Sequence, residues 1–185
     1  MAGKVDDLKQ RYEAFSNDPA HAADPRLRYM PASVKSMWAS AQSDRIKDVS
    51  PEAFQFQERL YRRRLALVGE MHRAGVGILA GSDALNPYCY PGFGLHDELA
   101  LLVEAGLPPH AALQAATRDA ASFLQRDDVG TIAPGKLADL VLLDADPLQN
   151  IRNSRRIAAV IAGGRLHARA ALERTLADAE ARARH

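Results

Sequence analysis

The sequence predicts a helix-rich α/β fold, and three observations predict it. A short apolar run, "VGILAG" at 76–81, shows no alternation and is bounded by glycines, the pattern of a strand buried on both faces as in parallel sheets. Helical stripes flank it, with Phe54, Tyr61, Leu65, Val68 and Met71 before and Leu95, Leu99, Leu102 and Val103 after. From residue 130 the chain changes to short apolar runs broken by Pro-Gly and Gly-Gly pairs, which read as a small β appendage.

Taken in order, residues 5 to 15 place Leu8, Tyr12 and Phe15 at helical spacing, ahead of the polar connection "SNDPAHAADPRLRYMP". Ser50 is an N-cap with Pro51 at the first helical position, and Gly75 supplies the stop, so a long helix is expected between them. After the strand and its loop, Asp97 and Glu98 fall in the first turn of a helix, where the macrodipole favours carboxylates, and Gly106 ends it. Pro108 and Pro109 open a short helix, "HAALQAA", and Thr117 is placed to cap another, "RDAASFL". "ADLVLLD" reads as a strand, and "RIAAVIAGGRLHA" as two strands about the Gly163-Gly164 turn. The tail from Ala168 is rich in Ala, Arg and Glu and reads as helix. The expected division is 1–129 with the strand at about 76–81, a β appendage over 130–168, and a C-terminal helix over 169–185.

At 185 residues the chain can bury a core of its own. A formal net charge of +1 argues against long-range attraction to nucleic acid or an anionic membrane, so the expected partner is a small molecule. Arg62, Arg63 and Arg64 are consecutive and fan around their helix, which reads as a solvated face. The single cysteine, Cys89, excludes an intrachain disulfide framework. No apolar stretch is long enough to span a bilayer, and "MAGKVDDLKQRYEAF" lacks the secretory pattern, so a cytoplasmic protein is expected.

Asp83 closes "GILAGSD", and a carboxylate at the C-terminal end of a buried parallel strand stands where (β/α) barrels assemble their active sites. The same residue could cap its own turn or the next helix, and the local pattern leaves both open. His96, beside Asp97, opens the following helix and could face a pocket or make a hydrogen bond at the helix start. Asn86, Tyr88 and Tyr90 lie in the loop between and could shape a substrate pocket or be ordinary turn residues with exposed rings. Cys89 has no activating base placed by the sequence. His72 stands near the end of the long helix, where an imidazolium suits the dipole.

Three fragments, "AGVGILAGSDA", "PGFGLHDELALLVEAGLPPHAALQAAT" and "VGTIAPGKLADLVLLDADPLQNI…RRIAAVIAGGR", resemble in order and spacing the C-terminal part of the metal-dependent amidohydrolase superfamily. The closest likeness is to its imidazolonepropionase-like and prolidase-like members, from about Ser50 to about His167. The resemblance implies a C-terminal fragment of a (β/α)8 TIM-type barrel with part of its accessory β-sandwich. It also implies that Asp83 binds a divalent metal, most often zinc, and handles protons in hydrolysis of a carbon–nitrogen bond. That bond belongs to a small amide or cyclic amide, or to an Xaa-Pro dipeptide. His96 falls within the resemblance, in a substrate-contacting role.

The family's other ligands, a His-x-His pair, a lysine and two further histidines on separate strands, have no counterparts here. Histidines stand only at 21, 72, 96, 110, 167 and 185. A catalytic zinc takes three protein ligands, so one aspartate is too few. The expectation is a portion inactive alone, or else a non-catalytic remnant that associates through exposed barrel edges.

Overall fold

The computed structural model describes residues 24–46, 50–84 and 86–184; the expected helix over 5–15 lies outside them. The chain divides into two compact units. One comprises residues 1–64, 85–88 and 176–185, the other 65–84 and 89–175.

In the first unit, Asp24 caps a 3-10 turn over Pro25–Tyr29, its carboxylate accepting the Arg26 backbone N–H at 2.8 Å. Helix α1 (Ala32–Ile46) follows and carries Trp38, 1% exposed, against the Tyr88 ring at a centroid distance of 5.6 Å. Helix α2 (Pro51–Arg73) begins in this unit. Its expected cap is present, since Ser50 Oγ accepts the Ala53 N–H at 3.2 Å.

In the second unit α2 ends at a Schellman-type stop, with Gly75 at φ 78° and the Val76 N–H donating to the Met71 carbonyl at 3.0 Å. Leu65 and Val68 of its stripe reach the core, whereas Met71 stays exposed. Helix α3 (Gly94–Glu104) ends the same way at Gly106, α4 spans Pro109–Ala115, and α5 spans Arg118–Phe123. The apolar faces of α3 and α4, with their connection, form the core: Leu99, Leu102, Ala105, Leu107, Ala112, Ala115 and, from a 3-10 turn over Ile151–Arg155, Ile151. Thr117 does not cap α5 as expected. Its hydroxyl donates instead to the Leu113 carbonyl at 2.7 Å, and its side chain makes no cap hydrogen bond to the α5 amides.

Strands β1 (Leu140–Leu143), β2 (Ile157–Ala162) and β3 (Arg165–Ala168) form one antiparallel sheet in the order β1-β2-β3. Val141 pairs with Val160, and Val160 with His167. Gly163 and Gly164 turn β2 into β3 at φ 55° and 75°, the two left-handed values that a primed hairpin turn requires. Helix α6 (Arg169–Ala183) starts directly after β3.

The strand expected at 76–81 is not formed, and this corrects the sequence reading. The segment is extended but pairs with no strand among the described residues, because a ladder needs neighbours and the sheet lies elsewhere. One backbone bond, from the Ala80 N–H to the Ala115 carbonyl at 3.2 Å, ties it to the end of α4. Ile78 and Ala80 pack on the core while Val76 and Leu79 stay exposed, so one face is covered and not two.

Candidate active site

The segment that ends in Asp83 runs out from the core and is held within the second unit by contacts with α4 and α3. Ala80 is bonded to α4, as above. Ser82 lies against Gly94, where an added Cβ would come within 3.0 Å of the serine Cβ. Gly94 and Glu98 are four residues apart, and so on one face of α3. Asp83 then turns with φ 45°, a left-handed conformation that few residues other than glycine adopt, and its side chain is exposed.

His96 and Asp97 make a paired tie to the 3-10 turn at 151–155. His96 Nδ1 lies 3.0 Å from the buried Ser154 Oγ, and the Arg155 guanidinium donates to the Asp97 carboxylate. Burial and the neighbouring Arg155 charge push the His96 pKa below the ordinary imidazole value, with Asp97 opposing. A neutral ring results at neutral pH, able to accept the serine hydroxyl proton or to donate to its oxygen. The hydrogen bond that sequence reasoning left open at this position thus reaches a residue 58 positions away.

Glu98, which the sequence assigned only to the macrodipole, is half-buried in the structure. Its pKa is raised by burial, with the Gly81 hydrogen bond opposing. Burial, and then the Asp83 and Asp97 charges, push the Cys89 thiol up, which disfavours the nucleophilic thiolate.

Asn86 and Tyr88 belong to the first unit. Asn86 is exposed; Tyr88, at φ 64°, is half-buried on Trp38. Tyr90, in the second unit, is 1% exposed, not the exposed loop ring that turn chemistry predicts. Its carbonyl accepts the Gly94 N–H at 2.8 Å and so helps to start α3.

Among the described residues, no group of three or more His, Cys, Asp or Glu side chains is arranged to hold a metal ion. A catalytic zinc with three protein ligands does not fit the donors that surround Asp83 here.

The model of the amidohydrolase family matches residues 22–167. The chain belongs to that family. It is 48% identical over 73 residues to adenine deaminase 2 of Rhizobium meliloti (strain 1021), a stretch covering 40% of this chain and 11% of that protein. It is 43% identical over 67 residues to the imidazolonepropionase of Mycolicibacterium smegmatis, covering 34% of this chain and 17% of that protein. Among solved structures, an Xaa-Pro dipeptidase with methionine bound in its active site aligns with a TM-score of 0.56 and 27% identity, over 74% of this chain and 33% of that one. A bottromycin amidohydrolase, at 24% identity, shares the fold with a TM-score of 0.68, over 85% of this chain and 34% of that one. The amidohydrolase chain therefore spans about a sixth or less of these curated relatives and about a third of these structures. Among the described residues no helix is long and apolar enough to cross a membrane.

Proposed function

We propose that this chain is the C-terminal portion of a hydrolase that cleaves carbon–nitrogen bonds in small amides, cyclic amides or Xaa-Pro dipeptides, and that Asp83 is its catalytic and metal-binding carboxylate. The observation that carries the reading is the family match over residues 22–167, within which "GILAGSD" ends on an exposed carboxylate. The relatives named adenine deaminase, imidazolonepropionase and Xaa-Pro dipeptidase support the bond class. In the complete enzyme Asp83 takes a proton from the attacking water and returns it to the leaving nitrogen, a transfer suited to a carboxylate beside the nucleophile. Asn86, Tyr88 and His96 are proposed to contact substrate. The remaining ligands for a divalent ion, zinc by preference, come from polypeptide outside these 185 residues, so the chain alone is inactive.

Elemental analysis of the folded, dialysed chain tests this reading. Zinc well below one equivalent is expected. Near-stoichiometric metal that is lost in Asp83→Asn would show that this chain completes its own site. Hydrolysis by a longer, metal-loaded form that survives Asp83→Asn would remove Asp83 from the chemistry.

A second reading, a non-catalytic remnant that self-associates, is favoured by exposed apolar side chains in the second unit, Ile132 at 86% and Phe123 at 73%. A monomer by light scattering at high concentration counts against it.

A further inference from the structure

Ser154 is buried in the 3-10 turn over Ile151–Arg155, and its place is set by that turn's own contacts. Asn150 Oδ1 accepts the Arg152 N–H at 3.0 Å, the Asn150 carbonyl accepts the Asn153 N–H at 2.9 Å, and Asn153 Nδ2 donates to the Asp146 carbonyl at 2.8 Å. Ile151 anchors the turn in the core formed by α3 and α4. His96, the third residue of α3, meets this turn with its half-buried ring and not with its backbone, whose N–H stays on the Phe93 carbonyl at 3.1 Å. The next residue along each segment is bonded too, Arg155 to Asp97, so α3 and the turn are joined at two successive positions.

Among the described residues the Ser154 hydroxyl has one hydrogen-bonding partner, His96 Nδ1 at 3.0 Å. A serine hydroxyl carries a single proton, and buried donors go unpaired more rarely than spare lone pairs do. The bond is therefore satisfied when Oγ–H donates and Nδ1 accepts, since the opposite sense would leave the hydroxyl proton buried and unpaired. We propose that Ser154 is a positioning residue for His96: its hydroxyl holds the neutral ring with the proton on Nε2, so that His96 presents a hydrogen-bond donor to an oxygen of the substrate, the carbonyl or carboxylate of an amide or dipeptide. This deepens the proposed function and rests on it for the contact between His96 and substrate. The proton on one ring nitrogen is set by the bond that the other makes, and the two nitrogens diverge, so the bond at Nδ1 directs Nε2–H away from the turn. A bare Nε2 would instead select a substrate N–H, and the serine bond selects against it.

The test is the tautomer itself, read from the ring nitrogen resonances of His96 in the isotope-labelled full chain at about pH 8, where an imidazole is neutral. In the wild-type chain Nδ1 is expected to show the shift of an unprotonated nitrogen and Nε2 that of a protonated one. A proton bonded to Nδ1 would overturn the proposal before any variant is made. Ser154→Ala should move the tautomer ratio about tenfold toward Nδ1–H, the size of one lost hydrogen bond. Ser154→Cys, of similar shape and with a weaker donor, moves it in the same direction and decides if Ser154→Ala does not fold. A variant that keeps the wild-type ratio would overturn the proposal as well, since the ring's own preference and not the serine would then set the proton. The Ile151 methyl resonances are expected to stay in place, because the turn is held by its own contacts. Their displacement together with the ratio would make Ser154 a packing residue instead. The readout needs neither metal nor substrate, so the positioning role can fail while the hydrolase reading stands, and the reverse.

Discussion

Gly69→Ala, near the C-terminal end of α2, sets two effects of opposite sign against each other. Alanine is the better helix former by about 0.8–1.0 kcal/mol, and at an exposed position that would decide the outcome. At Gly69 the backbone of α2 meets the end of α3. A Cβ built there would stand 2.0 Å from the Ala105 carbonyl oxygen and 3.2 Å from its carbon, with the oxygen an ångström inside the 3.0 Å that real Cβ contacts respect. The obstacle is main chain and cannot rotate away. α2 must therefore move off α3, which loosens Leu65 and Val68 against the core. A gap of ~0.5–1 Å already forfeits a quarter to a half of each contact's attraction. Overpacking a tight site costs about 1–3 kcal/mol, and a backbone-to-backbone clash belongs near the top of that span. Subtracting the propensity gain leaves a net loss of about 2 kcal/mol, or roughly 4–8 °C in Tm for a chain of this size. Gly77→Ala is the control, because nothing lies within 4 Å of a Cβ there. It should leave stability unchanged or raise it by about 0.4–1 kcal/mol. Thermal unfolding followed by circular dichroism reads both. A Gly69→Ala chain that melts at or above the wild-type temperature would refute the close approach of α2 to α3.

Gly130→Ala should lose about 2 kcal/mol or more in the same assay, because strain and overpacking act together there. The backbone is left-handed at φ 83°, and the new Cβ would lie 2.6 Å from Ala121 Cβ and 2.9 Å from the Thr117 carbonyl oxygen. A neutral substitution would contradict the packing of α5 against this turn. For His96, a folded-state pKa below the ordinary 6.5 means that the unfolded chain binds the proton more readily. The associated stability is present above 6.5 and is lost as pH falls through the lowered value. His96→Gln should flatten the fall in Tm as pH drops below 6.5, and an unchanged slope would assign the acid sensitivity to another group.

What was legible in the sequence was legible because it is local. The Ser50 cap, the glycine stops at 75 and 106 and the Gly163-Gly164 hairpin each depend on a few neighbouring residues, and each is formed. The strand at 76–81 depended on partners that no local pattern can supply. An apolar run bounded by glycines fits a two-sided strand and a one-sided extended segment equally well. The link from His96 to Ser154 and the burial of Tyr90 were hidden for the same reason, since both are set by how distant segments meet.

Asp83 shows how the two kinds of information combine. Aspartate tolerates left-handed backbone better than most residues, so its φ alone is consistent with turn chemistry. A carboxylate that merely closed a surface turn would not need the preceding residues held by two helices. That restraint is intelligible if the direction of the Asp83 carboxylate matters, as the proposed function requires. The sequence motif proposes the carboxylate, and contacts from α3 and α4 hold the residues that precede it.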